Sequence, residues 1–97
     1  MNRVARYGKA VAREGCGEAL AELLVAVAET FADDPGCELY LVNRQKTAPD
    51  IIWITELWRS QAELDTSIAK ISGSADAVMA LVDDWEMIEL DLLGGKG

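Results

Sequence analysis

The chain has 97 residues, is 51% apolar and 27% charged, and carries a formal net charge of -8 at pH 7. That length fits one domain, and the composition is globular rather than disordered. The acidic balance argues against a nucleic-acid footprint and against anionic membranes; its ordinary role is solubility.

Val4 to Arg13 reads as a first strand, with Val4, Tyr7 and Val11 among small and basic residues. Met1 to Ala12 has no long apolar core, so it is not expected to be a signal peptide. Gly15 and Gly17 break the strand. Glu18 and Glu22 then favour a helix N-terminus through the macrodipole. Leu20, Leu23, Leu24, Val27 and Phe31 follow as one apolar stripe at helical spacing. Asp33, Asp34, Pro35 and Gly36 end this helix.

Cys37 to Asn43 is the second expected strand, with Cys37, Leu39 and Leu41 on one face and Glu38, Tyr40 and Val42 on the other. The two cysteines, Cys16 and Cys37, are far apart in sequence. With no secretory signal, reduced thiols in a cytoplasmic protein are the expectation, although pairing depends on distances. Arg44 to Asp50 is predicted to be a polar hairpin connection, which makes the second and third strands antiparallel neighbours.

The third strand, Asp50 to Trp58, places Ile52, Ile54, Glu56 and Trp58 on one face and Ile51, Trp53, Thr55 and Leu57 on the other. A strand with one wet face alternates apolar and polar residues, whereas this one is apolar on both. One helix layer covers only one face. The economical cover for the other is the sheet of a second copy, so a homodimer with sheets packed face to face is expected.

Ser60-Gln61-Ala62-Glu63 has the form of a capping box and opens a second helix with Leu64, Ile68 and Ile71 as its stripe. Ser72, Gly73 and Ser74 interrupt it. Ala75 to Asp84 is expected as a short third helix facing inward through Val78, Leu81 and Val82, and Trp85 to Leu93 as the last strand. Residues 1–93 then form the domain and 94–97 a loose tail. No apolar run approaches the ~20 residues that span a bilayer. The element order is that of the split βαβ, ferredoxin-like α+β fold, an antiparallel sheet with helices on one face.

Several pieces in order resemble the antibiotic biosynthesis monooxygenase family. Gly15 precedes a helix with Leu20, Leu23 and Leu24; Asp34-Pro35-Gly36-Cys37 is close to the family's Glu-Pro-Gly-Cys; Tyr40 follows. Glu56-Leu57-Trp58 then matches Glu-x-Trp, and Gln61 to Asp65 is similar to the family's next helix start. The resemblance runs from Tyr7 to about Leu90. It implies a dimeric α+β barrel with a pocket between each subunit's sheet and helices. It also implies oxidation of a hydrophobic aromatic, phenolic or quinol substrate by dioxygen, in many members without metal or flavin, so no cofactor is expected. Other members degrade haem or have no demonstrated catalysis. A histidine that the family often carries after Leu-Asp of the second helix is Ser67 here, and the chain has no histidine. Serine cannot replace imidazole as a base or haem ligand. A non-catalytic, dimeric ligand-binding or accessory protein of the same fold is therefore the competing reading.

Trp58 matches the family's pocket tryptophan and would stack on a flat ligand, or else fill the core. Glu56 shares its face and can act as a base if burial raises its pKa, or can pair with Arg6 or Arg59, or sit at the dimer seam. Tyr40 and Asn43 can hydrogen-bond a phenolate or ketone, and Ile54 and Ser67 complete the expected substrate contacts. Arg6 could offset an anionic substrate; Tyr7 is a weaker candidate. Cys37 reads as a small hydrophobe rather than a nucleophile. Without histidine no Cys-His or Ser-His dyad is possible, and neither a zinc site nor a phosphate loop is recognisable.

Overall fold

In the computed structural model, residues 3–96 are described; Met1 and Asn2 of the expected domain and Gly97 of the expected tail lie outside the described residues. The elements are β1 (Val4–Ala12), α1 (Gly17–Thr30), β2 (Cys37–Gln45), β3 (Ala48–Trp58), α2 (Gln61–Lys70), α3 (Ser72–Met79) and β4 (Val82–Asp91). The four strands form one antiparallel sheet in the order β2-β3-β1-β4. This is the ferredoxin-like arrangement that the order of elements predicts.

Alternation along the strands decides the faces. Ile52, Ile54, Glu56 and Trp58 of β3 are all buried, as are Val4, Ala10 and Ala12 of β1. They pack against Leu20, Leu24 and Val27 of α1, Leu64 of α2 and Val78 of α3. The other face carries Tyr7, Leu41, Ile88 and Leu90, which are 43%, 48%, 49% and 43% exposed. Tyr7 stands in one row with Thr55 and Ile88, and Leu41 pairs with Thr55 from the opposite side. The layer structure is thus one sheet and one set of helices, and the molecule is 20 Å across its shortest dimension.

Helix α1 starts where a distant side chain meets it. Gly15 and Gly17 donate their backbone N–H groups to the two carboxylate oxygens of Asp50 on β3, at 3.1 and 2.9 Å. Gly15 has φ +78°, which favours glycine, and a Cβ on Gly17 would lie 2.3 Å from the Pro49 carbonyl oxygen. Helix α2 is capped locally: Glu63 N–H donates to Ser60 Oγ at 3.3 Å, and the Ser60 hydroxyl donates back to the Glu63 carboxylate at 3.2 Å.

Four expectations are corrected. The polar connection over 44–50 is a turn at Lys46 and Thr47 alone, because β2 continues to Gln45 and β3 begins at Ala48. The Gln45 side chain is held by Trp53 Nε1, which donates to its Oε1 at 2.9 Å. Pro49 is tolerated within β3 because β1 pairs with that strand only as far as Ile51. Second, Cys37 does not share a face with Leu39 and Leu41. A register shift between Cys37 and Leu39 turns Cys37 toward the helices opposite Trp58.

Third, the expected interruption at Ser72, Gly73 and Ser74 is the first turn of α3. The chain turns tightly at Ile71, with Ser74 N–H donating to Ile71 O at 2.9 Å, and restarts as helix at once. Fourth, residues 82–84 are not helix but the start of β4, paired with Val11 and Ala12 across a second register shift. Strand pairing overrides the apparent helical spacing of Val78, Leu81 and Val82. At the other end β4 stops at Asp91, although Leu92 N–H still donates to Arg3 O at 3.3 Å.

Candidate functional site between sheet and helices

The pairing register places four side chains in one row across the helix-covered face: Tyr40 of β2, Glu56 of β3, Arg6 of β1 and Glu89 of β4. The first three form the polar floor of a cavity of about 200 Å³. Its walls are mainly apolar, with Leu24 and Val27 from α1, Ile68 and Ile71 from α2 and its end, and Val78 and Met79 from α3, while Ser74 of α3 adds a hydroxyl. A few converging polar groups in an apolar concavity are the usual make-up of a small-molecule site.

Glu56 is the centre of the floor. It is 2% exposed. Trp58 Nε1 donates to its Oε1 at 2.8 Å, and Arg6 Nη1 lies 3.5 Å from the same oxygen. Burial pushes the carboxyl above its ordinary value; Arg6 and the Trp58 hydrogen bond pull it back, and the charge of Glu89 pushes it up further. The Arg6 Nε is buried with no hydrogen-bond partner. An orphaned buried donor is costly, so a ligand that accepts from it is favoured. Burial, then the nearby Glu56 charge, raises the Tyr40 phenol, which stays protonated and able to donate.

The residues singled out from the sequence separate into three groups. Glu56 and Tyr40 come together in the cavity, with Arg6. Trp58 and Ile54 lie behind the floor, both with 0% exposure. Trp58 meets Phe31 edge-on at 5.1 Å and 82°, so its ring is enclosed by the core and it orients Glu56 rather than facing the cavity. Asn43 and Ser67 lie elsewhere. Asn43 stands on the open face, where its Nδ2 donates to Trp53 O at 3.4 Å. Tyr7 is on the same face, stacked on Trp53 at 5.5 Å. Ser67 is buried, and its hydroxyl donates to Asp34 in the turn between α1 and β2. That bond, with the Gly36 N–H, holds the Asp34 carboxyl below its ordinary range. Arg59 pairs with Glu63, which leaves Arg6 as the partner of Glu56.

Of α3, the inward Val78 was visible in the sequence, but the start at Ser72 was hidden, and with it the place of Ser74 in the lining. Arg6 was visible: it is the one charge among Val4, Gly8, Ala10 and Ala12 on the inward face of β1. Both thiols are free, and burial pushes Cys37 up to about 11, which makes it a poor nucleophile. Among the described residues no three acidic or cysteine side chains gather to hold a metal ion. No helix among them is long and apolar enough to cross a membrane.

Solved structures share this architecture over nearly their whole length. A protein of Chloroflexus aurantiacus, named as a candidate antibiotic biosynthesis monooxygenase, is 31% identical, with 98% of this chain and 97% of that one covered and a TM-score of 0.85. One of Deinococcus radiodurans, named likewise, is 27% identical over 97% and 96% of the two chains, with a TM-score of 0.86. A Mycobacterium tuberculosis protein at 20% identity, covering 98% and 99%, has a TM-score of 0.87 and supports the fold alone. No curated protein matches. The family model for antibiotic biosynthesis monooxygenase matches residues 4–67, which hold β1, the Asp34-Pro35-Gly36-Cys37 turn, Glu56 and Trp58. With that match and the common fold, the chain belongs to the antibiotic biosynthesis monooxygenase family.

Proposed function

We propose that the protein is a cofactor-independent monooxygenase that oxidises a hydrophobic phenolic or quinol substrate with dioxygen. The observation that carries this reading is the buried Glu56 carboxylate beside Arg6 at the floor of an apolar cavity. A carboxyl raised by burial is suited to take a proton from a phenol, and the Arg6 cation favours the resulting phenolate. Tyr40 can donate a hydrogen bond to the same oxygen. The phenolate is the electron donor. With a phenol, a ring C–H becomes a carbonyl and the phenol becomes the second carbonyl; with a quinol, the two hydroxyls become carbonyls and a ring C–H becomes C–OH. In either case the substrate gives four electrons, one oxygen atom enters the ring, and the other leaves as water with two protons. Trp58 serves as a positioning residue, since it holds Glu56 Oε1.

The reading includes a homodimer built through the open sheet face. The accessory-protein alternative is favoured by one observation: Trp58, the family-pattern aromatic, is closed off from the cavity. Oxygen uptake with a panel of phenol and quinol substrates separates the two. The monooxygenase reading expects uptake well above the buffer rate, reduced about 10²-fold or more in Glu56→Gln. Binding without uptake would establish the accessory role instead.

A further inference from the structure

The dimensions of the cavity and the place of its polar atoms narrow the substrate. We infer that the site takes a single-ring phenol or hydroquinone, bound with its hydroxyl between the Glu56 carboxylate and the Arg6 Nε and its ring under α3, and that it rejects fused three-ring phenols. This rests on the phenol-oxidising reading and specifies its substrate class.

The first observation is volume. A dry apolar cavity of about 150 Å³ holds benzene, and this one is about 200 Å³. The difference accommodates the small substituents of one ring, whereas two more fused rings would have to run out past the exposed Ser74, Ala75 and Met79 of α3 and leave their apolar surface in water. The second is the firmness of the inner wall. Leu24, Val27 and Val78 are each nearly fully buried and packed into the two core clusters, so they cannot withdraw without opening the core. The third is polarity. Arg6, Tyr40 and Glu56 all stand on the sheet side, and Arg6 Nε is a buried donor without a protein acceptor. Both contacts of the Glu56 carboxylate fall on Oε1, which leaves Oε2 to receive a proton. One hydroxyl at this end satisfies both groups, while the apolar walls suit the ring.

The test is binding without dioxygen, so that affinity is read apart from turnover. Methylhydroquinone, a naphthol, an anthrone-type three-ring phenol and the dimethyl ether of methylhydroquinone are titrated by calorimetry. Apolar burial alone would make affinity rise with ring number, so the reverse order is diagnostic. We expect the single-ring compound to bind at least ten-fold more tightly than the three-ring one, and its dimethyl ether at least ten-fold more weakly than the parent. Val78→Ala, which removes wall volume, is expected to narrow the gap between one and three rings; Arg6→Gln is expected to weaken the phenol and leave the ether unchanged. Equal or tighter binding of the three-ring phenol to the unaltered protein overturns the size limit. Equal binding of phenol and ether overturns the orientation. Tight single-ring binding with no oxygen uptake in air leaves the size inference standing and removes the oxygenase reading.

Discussion

Glu56 ties stability to function. Its carboxyl is raised in the folded protein, chiefly by burial, above the ordinary value of 4.5. A raised acid holds its proton more firmly folded than unfolded. Its contribution is therefore fully present below pH 4.5 and is lost as pH rises through the folded value. Glu56→Gln keeps an acceptor for Trp58 Nε1 and removes this titration. Denaturant unfolding across pH 4 to 8 is expected to show a flatter profile for Glu56→Gln than for the unaltered protein; parallel profiles would contradict it. Ser67 bears on the missing imidazole. Position 67 faces Asp34, and it is Ile68, the next residue, that lines the cavity. The serine at this position accordingly lies outside the cavity lining. Ser67→Ala is expected to raise the Asp34 carboxyl back toward 3.8 by NMR titration, because Ser67 is the largest influence holding it down. The residue-level pattern was half legible. Parity along β3 put Glu56 on one face with Ile52, Ile54 and Trp58 and left open whether that face met the helices or a partner, and parity could not say that Trp58 would be sealed by Phe31, since that depends on the C-terminal end of α1 folding over it.

Among the elements, α1 is the one whose start depends on another strand. No side chain of Cys16 caps it, and the carboxylate of Asp50 does so from β3. Asp50→Ala removes the acceptor for two helix-end N–H groups and is expected to cost about 1 kcal/mol. In a domain of this size that lowers Tm by roughly 4–8 °C. Asp50→Asn keeps one acceptor and should lose less; a thermal melt unchanged in Asp50→Ala would show that solvent replaces the cap. The contrast with α2 explains what the sequence could disclose. Ser60 and Glu63 are three residues apart and form a legible box, whereas Asp50 and Gly17 are joined only by tertiary structure. The register shifts at Cys37 and between Val11 and Ala12 are of the same kind. A shift of one residue reverses the facing of Cys37 relative to Leu39, and no periodicity within β2 announces it.

At the scale of the whole molecule, the sheet is the unfinished part. Its helix-covered face is closed, and its other face presents Tyr7, Leu39, Leu41, Ile88 and Leu90 as exposed apolar side chains together. Small domains bury a limited share of their surface, and a contiguous apolar face of this kind marks an association site. Two of the polar groups on it are already engaged: Lys9 Nζ lies 5.7 Å from the centre of the Trp53 ring, and Trp53 Nε1 is bonded to Gln45. Those two add little cost to covering the face, and Glu86, opposite Lys9 in the register, is the acidic group that shares it. A second copy laid sheet to sheet, about 10 Å away, covers it with the same surface, as a two-fold interface requires. Both faces of β3 then find the apolar cover its sequence calls for, one from α1 and one from the partner. We expect the protein to sediment as a dimer at micromolar concentration and Leu41→Glu with Ile88→Glu to sediment as a monomer. Because the cavity lies on the opposite face of the sheet, the monomeric variant is expected to retain the fold and the binding of a single-ring phenol. A sole monomer in the unaltered protein would remove the dimer. Loss of phenol binding in a folded double variant would show that the two faces are coupled through β3, the strand that carries Glu56 on one side and Trp53 on the other.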